Sequence, residues 1–204
     1  MNLTELPYRT LAIVRGSDRA AALRTVLTLA EEGITTAEVS LTTTDALWVI
    51  GQARRELGAH ALLGAGTVLT ADDAARAADA GAGFLVTPGL IEGVGTELPV
   101  LMGAVTPTEV MTATARGALA VKLFPASLGG PAYLTALRAP FPDVPFLPVG
   151  GIDAAAACAY LTAGAAAVGV GSPLIGDAAD GGDLAALRAR AARWRSSLTQ
   201  EVTI

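Results

Sequence analysis

The feature that most constrains the fold is a regular alternation of short apolar segments with longer segments of helical pattern. About eight apolar runs recur, and most are followed by a stretch that has apolar residues at helical spacing and ends at glycine. The predicted strands lie at residues 10–15, 36–41, 61–66, 84–87, 99–102, 118–126, 145–149 and 165–170. Strands that alternate with helices pair in parallel through right-handed crossovers, and eight such units close into a (β/α)8 TIM barrel.

The competing architecture is an open, doubly wound sheet. The turn after the first strand lacks the G-x-G-x-x-G pattern of dinucleotide-binding sheets, which favours the barrel. After the fourth strand, the sequence predicts a short helical turn near Ile91. At 204 residues and 52% hydrophobic, with no shift in composition, the chain predicts one α/β domain spanning residues 1–204.

Composition and charge exclude several classes of function. The net charge of -5 and the absence of a basic stripe argue against a nucleic-acid partner. One Cys and one His cannot form a disulfide framework or a standard zinc site, so no metal or cofactor is predicted. Residues 154–176 carry no charge, but they are rich in Ala and Gly and indicate a helix and a strand rather than a membrane span. The N-terminus lacks a signal-peptide pattern, which favours a cytoplasmic protein.

Lys122 is the single lysine of the chain, and it lies in an almost wholly apolar predicted strand. The other cations are arginines, so the one amine stands where desolvation is costly. Burial lowers a lysine pKa, and a neutral amine is a nucleophile toward carbonyl groups. The alternative interpretation is a lysine at a strand end whose side chain reaches solvent.

Strand alternation predicts which side chains face the barrel axis. Ala37, Val39 and Leu41 form an apolar set expected to face the helices, which leaves Glu38 and Ser40 facing inward. The same argument turns Lys122 inward between Val121 and Leu123. These residues fall near the C-terminal ends of strands, where the active sites of barrels lie. A structural Glu38–Lys122 salt bridge is the other interpretation.

Three further positions fall at the C-terminal ends of the strands. Arg15 ends the first strand, although its parity there is ambiguous. Thr67 follows Gly-Ala-Gly after the third strand, and Pro88 follows the fourth.

Two glycine-containing turns follow the last two strands. Gly150 and Gly151 end the seventh strand, and Gly171 precedes Ser172 at the end of the eighth. Glycine lets backbone N–H groups approach a ligand, and the loops after strands seven and eight are the usual phosphate site of such barrels. The sequence therefore predicts a phosphate site there.

Together these groups suit the chemistry of a class I aldolase. A neutral lysine can form an iminium with a ketone, and the iminium accepts electrons when a C–C bond breaks. A nearby carboxylate must move the protons, and Glu38 is the one inward acid near Lys122.

Seven motifs then carry a family resemblance. They are Ala-Ile-Val-Arg-Gly (12–16), Glu-Val-Ser-Leu (38–41), Gly-Ala-Gly-Thr-Val (64–68), Thr-Pro-Gly (87–89), Lys-Leu-Phe-Pro-Ala (122–126), Val-Gly-Gly-Ile (149–152) and Gly-Val-Gly-Ser (169–172). Their order over nearly the whole chain resembles the bacterial 2-keto-3-deoxy-6-phosphogluconate (KDPG) and 2-keto-3-deoxy-6-phosphogalactonate (KDPGal) aldolases.

The resemblance implies a role for each matching position. Lys122 would form the Schiff base and Glu38 would be the general acid and base. The substrate-binding residues would be Arg15, Thr67 and Pro88 around the pyruvyl part, Phe124 of the lysine motif, and Gly150, Gly151, Gly171 and Ser172 at the phosphate. The implied partners are a phosphorylated keto sugar acid, its products pyruvate and D-glyceraldehyde 3-phosphate, and two further copies of the chain in a homotrimer.

One departure bears on the substrate. Family members acting on the gluconate form typically have Leu-Arg-Thr after the glutamate motif, whereas this chain has Leu41-Thr42-Thr43. The galactonate branch also lacks that arginine, which tilts the expected substrate toward KDPGal and makes Arg15 the expected carboxylate partner.

Three other activities stay open at this point. One is aldol cleavage of 4-hydroxy-2-oxoglutarate. The second is a sugar-phosphate epimerase or isomerase that uses Glu38 and Lys122 as a non-covalent acid and base. The third is a non-catalytic barrel that senses phosphorylated sugars.

Overall fold

Eight parallel strands form the centre of the molecule in a computed structural model that describes residues 1–94 and 96–199. The strands are β1 Thr10–Val14, β2 Thr36–Ser40, β3 Leu62–Gly66, β4 Leu85–Val86, β5 Val100–Ala104, β6 Ala120–Leu123, β7 Phe146–Pro148 and β8 Val168–Val170. They pair in the order β7-β6-β5-β4-β3-β2-β1-β8. A parallel bridge between Val149 and Gly169 joins the two ends of the sheet. The predicted barrel is therefore confirmed, while the single domain 1–204 stays a prediction because 95 and 200–204 lie outside the described residues.

Helices pack around the outside of the strands. They are α1 Arg19–Glu31, α2 Ala46–Leu57, α3 Ala71–Asp79, α4 Pro107–Ala115, α5 Gly130–Arg138, α6 Ala154–Thr162, α7 Ser172–Ile175 and α8 Leu184–Thr199. Local sequence explains several of their starts: Asp18 caps α1, and Thr70 and Thr106 open α3 and α4 with capping boxes. None of the helices within the described ranges is long and apolar enough to cross a bilayer.

The connection between β4 and β5 contains no helix in residues 88–94 and 96–99, so the predicted helical turn near Ile91 is wrong. This segment begins Pro88-Gly89 and contains Gly93, and these residues disfavour a helix although the apolar residues Leu90, Ile91 and Val94 have helical spacing. Ile91 and Val94 pack against the core without regular structure. The next strand, β5, runs to Ala104, two residues beyond its predicted end at 102.

Two apolar layers confirm the predicted directions of the strand side chains. Ala37, Val39, Val121 and Leu123 belong to the outer layer between strands and helices. The layer inside the barrel contains Leu11, Val86, Leu101, Leu147 and Val149, with Ile13 packed against it. Because side chains alternate along a strand, Glu38, Ser40 and Lys122 point inward.

The inner layer also decides the direction of Arg15, which the sequence pattern leaves ambiguous. Arg15 has the parity of Leu11 and Ile13, both on the inside. It follows β1 directly, so its side chain extends over the C-terminal mouth of the barrel. At the opposite end, the N-terminal residues Leu3 and Leu6 join the inner layer and close the barrel floor.

Candidate active site

Lys122 lies inside the barrel on β6 with 6% of its surface exposed. Burial lowers the pKa of its amine; Glu38 opposes that shift and the positive charge of Arg15 adds to it. Nζ lies 5.0 Å from the centroid of the Phe124 ring, a cation–π contact for the charged form. The amine is thus held at the C-terminal mouth in surroundings that favour its neutral, nucleophilic form.

Glu38 lies on β2 in the same interior, with 2% of its surface exposed. Burial raises the pKa of its carboxyl, and Lys122 and Arg15 oppose the shift. Its Oε2 is buried without a hydrogen-bond partner. Among the described residues, no ion pair within 4.0 Å joins Glu38 to Lys122. The alternative interpretation, a structural salt bridge between Glu38 and Lys122, is therefore wrong. The Oε2 atom of Glu38 is available for proton transfer.

A cluster of hydroxyl groups surrounds Ser40, which lies two residues after Glu38 on β2 and on the same face of the strand. The Ser40 Oγ lies 2.8 Å from both Thr42 Oγ1 and Thr67 Oγ1. Arg15 Nε donates to the same Oγ at 3.4 Å. Thr67 has a φ of 58°, a conformation that is rare for a β-branched residue. Ser40 thus joins two of the predicted substrate-binding residues, Arg15 and Thr67.

Pro88 reaches the site through the loop after β4. The Thr87 Oγ1 donates to Gly89 O at 2.6 Å and accepts from the Gly103 N–H at 3.1 Å. A Cβ on Gly103 would lie 2.2 Å from the Pro88 carbonyl carbon, so glycine is needed for this close approach. Gly103 is paired in register with Lys122, which places the Pro88 loop beside the strand that carries the amine.

The remaining predicted residues line one cleft of about 370 Å³ at the mouth of the barrel. Its lining includes Arg15, Phe124, Gly150, Gly151, Gly171 and Ser172. In the part of the chain that the structure describes, the backbone N–H groups of Gly150, Gly151, Gly171 and Ser172 make no hydrogen bond to other backbone groups. They are free to donate to an anion. A Cβ on Gly150 would lie 3.4 Å from the Phe124 ring, which shows how closely the ring packs on this turn.

Asp180 also lines this cleft, and sequence reasoning missed it. Its Oδ1 accepts from Ser17 N at 2.7 Å and from Ser17 Oγ at 2.8 Å, and these hydrogen bonds lower the pKa of the carboxyl. Gly16 packs on the adjacent Ala179, where a Cβ would lie 2.1 Å from the carbonyl oxygen. Asp180 thereby holds the loop that follows Arg15. No local pattern could reveal this contact, because it spans 163 residues of sequence.

Comparison with known proteins identifies the family of the chain. The family model described as KDPG and KHG aldolase matches residues 3–189. A probable 2-dehydro-3-deoxy-6-phosphogalactonate aldolase of Rhizobium meliloti (strain 1021) is 37% identical over 180 residues, which cover 85% of each chain. A native KDPGal structure matches with a TM-score of 0.89 at 31% identity over 98% of each chain.

A third match concerns covalent chemistry. A KDPG aldolase from Legionella pneumophila, solved with pyruvate captured as a covalent carbinolamine, has a TM-score of 0.79 and 27% identity over 98% of this chain and 94% of that one. The barrel, the buried amine and carboxylate, and these similarities agree with one another. The chain therefore belongs to the KDPG and KHG aldolase family and is an aldolase, a carbon–carbon lyase.

Proposed function

We propose that this chain is a class I aldolase that cleaves a 2-keto-3-deoxy-6-phospho sugar acid to pyruvate and D-glyceraldehyde 3-phosphate. The observation that carries the proposal is that Lys122 and Glu38 are both buried inside the barrel and that, among the described residues, they form no ion pair with each other. A purely structural amine and carboxylate in such a place would be expected to pair. The solved relative with a pyruvate carbinolamine supports a covalent route.

In the proposed reaction the neutral Nζ of Lys122 attacks the C2 carbonyl and forms a carbinolamine. Glu38, whose pKa is raised by burial, gives a proton to the departing hydroxyl, and water leaves as the iminium forms. The resulting Glu38 carboxylate takes the proton of the C4 hydroxyl. The C3–C4 electron pair then moves into the iminium, which releases the aldehyde and leaves an enamine. Protonation at C3 and hydrolysis release pyruvate and the free amine.

The two ends of the substrate are assigned to different parts of the mouth. We place the pyruvyl carboxylate at Arg15 and Thr67, since the guanidinium supplies a charge-assisted donor. We place the phosphate on the free N–H groups of the turns after β7 and β8, with Phe124 and Pro88 as walls. The Asp180 carboxylate lies on the same cleft.

The decisive experiment is reductive trapping with pyruvate and borohydride. We expect a mass increase on the peptide that contains Lys122, because the only other amine of the chain is the N-terminus. Lys122→Met should show no trapping while remaining folded by circular dichroism. An unmodified Lys122 peptide in the wild-type protein would exclude the covalent mechanism and favour the epimerase alternative, which the family match does not favour.

We propose KDPGal rather than KDPG as the preferred substrate. Position 42 is Thr, and its hydroxyl contacts Ser40, so Arg15 is the cation next to this hydroxyl cluster. Cleavage rates for the two phosphorylated epimers and for 4-hydroxy-2-oxoglutarate should rank KDPGal first. A higher kcat/KM for KDPG would overturn this assignment.

We also propose a cytoplasmic homotrimer. Leu69, Met111 and Leu128 are exposed apolar side chains that contact with other copies would cover. The chain has one cysteine and so cannot form a disulfide within itself, which suits a reducing compartment. A sedimentation mass near three chains is the expected result, and a monomeric mass would contradict it.

A further inference from the structure

We propose that Thr42 and Ser40 are positioning residues that orient the Thr67 hydroxyl so that it donates its hydrogen to the carboxylate of a bound 2-oxo acid. The inference rests on the proposed function, because it needs a carboxylate next to Arg15 and Thr67. It adds a role for Thr42 and Ser40, which the assigned Schiff-base and phosphate groups do not require.

The geometry puts Ser40 at the centre of the cluster. Its side chain is fully buried, and its Oγ lies at 2.8 Å from the hydroxyls of Thr42 and Thr67. The Thr42 N–H and the Arg15 Nε–H also point to it, each at 3.4 Å. The two hydroxyl contacts are the short ones and therefore the stronger.

Hydrogen counting restricts how this cluster can be arranged. A hydroxyl has one hydrogen to donate and two lone pairs to accept with, while the Arg15 and Thr42 N–H groups can only donate. The Ser40 hydrogen must therefore go to one of its two threonine neighbours. If it goes to Thr67, then the Thr42 hydroxyl donates to one lone pair of Ser40, and the two N–H groups at 3.4 Å share the other. The Thr67 hydrogen is then released for another acceptor.

A bound carboxylate selects that arrangement. An anion is an acceptor only, so it favours the state in which every hydroxyl donates toward it, from Thr42 to Ser40 to Thr67. The φ of 58° at Thr67 is a second sign that this residue is held in place for a ligand, since a β-branched residue adopts that conformation at a cost.

The test uses hydroxyl deletions that keep side-chain size. The variants are Ser40→Ala, Thr42→Val, the double variant, and Thr42→Ser as the conservative replacement. Thr36→Val is the matched control, because Thr36 lies on the same strand and its buried Oγ1 has no hydrogen-bond partner. The measurement is the concentration for half-maximal borohydride trapping at Lys122, with pyruvate and with its methyl ester, which has no carboxylate.

We expect Ser40→Ala to raise the half-maximal pyruvate concentration by roughly 3- to 10-fold, the usual effect of losing a hydrogen bond between neutral groups, because the Thr67 hydroxyl then loses the neighbour that orients it. The value for the methyl ester should stay within about 2-fold, which a general loss of structure would not allow. Thr42→Val should have a smaller effect that disappears in the Ser40→Ala background, because both variants break one chain. Thr42→Ser and Thr36→Val should behave like the wild type.

Two results would overturn the proposal. One is an equal change for pyruvate and its ester, and the other is full additivity of the Ser40 and Thr42 variants. Failure of the wild-type protein to trap pyruvate would instead refute the proposed function itself, so the two failures are distinguishable.

Discussion

At the scale of single residues, one physical cause prepares both reacting groups. Burial lowers the pKa of Lys122 and raises that of Glu38, so each group is moved toward its neutral form. A neutral amine can attack a carbonyl, and a protonated carboxyl can assist loss of water. The remaining attraction between the two charged forms partly opposes both shifts. Burial inside the barrel therefore favours both the nucleophilic form of Lys122 and the acid form of Glu38.

In Glu38→Gln, the pH dependence of the trapping rate should shift to lower pH. The neutral amine reacts, so the trapping rate at saturating pyruvate should rise with pH to a plateau above the pKa of Lys122, which burial places below the ordinary lysine value. Glu38 raises that pKa, so its removal should move the rising limb to lower pH. Turnover should fall by roughly 10²- to 10⁴-fold because proton transfer is lost.

Arg15→Met should shift the pH dependence of trapping in the direction opposite to Glu38→Gln. Arg15 lowers the pKa of Lys122, so its loss should move the limb to higher pH. Cyanoborohydride trapping rates across the pH range measure both shifts. Shifts of the same sign in the two variants would contradict this electrostatic account.

At the scale of elements, β3 makes room for the groups of its neighbours. A Cβ on Gly66 would lie 2.6 Å from the Glu38 carboxyl carbon, and one on Gly64 would lie 2.4 Å from the Phe84 ring. Because Gly66 is paired in register with Ser40, the missing side chain leaves space at the mouth, where Glu38 lies. The glycines of β3 thus serve the site through their lack of volume rather than through unusual backbone angles.

Gly66→Ala should therefore displace Glu38. We expect a loss of about 1–3 kcal/mol in the free energy of unfolding from overpacking, together with a lower kcat. Gly51→Ala is the control, because Gly51 lies inside α2 and its added Cβ would stay 3.5 Å from the nearest neighbouring atom. Gly51→Ala should raise the free energy of unfolding by about 0.5–1 kcal/mol and leave kcat unchanged. Urea denaturation and steady-state kinetics measure both; an unchanged kcat in Gly66→Ala would contradict the account.

At the scale of the whole molecule, the last helix is held against the first strand. The Trp194 Nε1–H donates to Thr10 Oγ1 at 3.0 Å across 184 residues of sequence, and both side chains are buried. Arg188 and Arg195 of α8 form ion pairs with Glu32, next to the end of α1. The hydrogen bond holds the start of β1, the strand that Arg15 follows, while the ion pairs join α8 to the end of α1.

Trp194→Phe should remove this hydrogen bond while it keeps an aromatic ring in the same place. We expect the free energy of unfolding to fall by about 1–2 kcal/mol, with pyruvate trapping at Lys122 unchanged in the folded protein. Trp48→Phe is the comparison, because Trp48 is 37% exposed and should change stability by less than about 0.5 kcal/mol. Thermal melts of the two variants test the difference, and equal melting temperatures would refute it.

The sequence by itself determined the barrel, because strand and helix periodicities are local signals repeated along the chain. It also determined the inward direction of Glu38, Ser40 and Lys122, because side chains on a strand alternate. The connection formed by residues 88–94 and 96–99 was predicted wrongly in part, since a few apolar residues near Ile91 have the spacing of a helix where proline and glycine prevent one.

Only the tertiary structure decided which of these groups touch. It turned Arg15 inward through the layer shared with Leu11, and it joined Arg15 to Thr67 through Ser40. It also brought Asp180 to the loop after β1 and left Glu38 unpaired beside Lys122. The physical reason is that such contacts depend on distances between strands that are far apart in sequence, which no local pattern records.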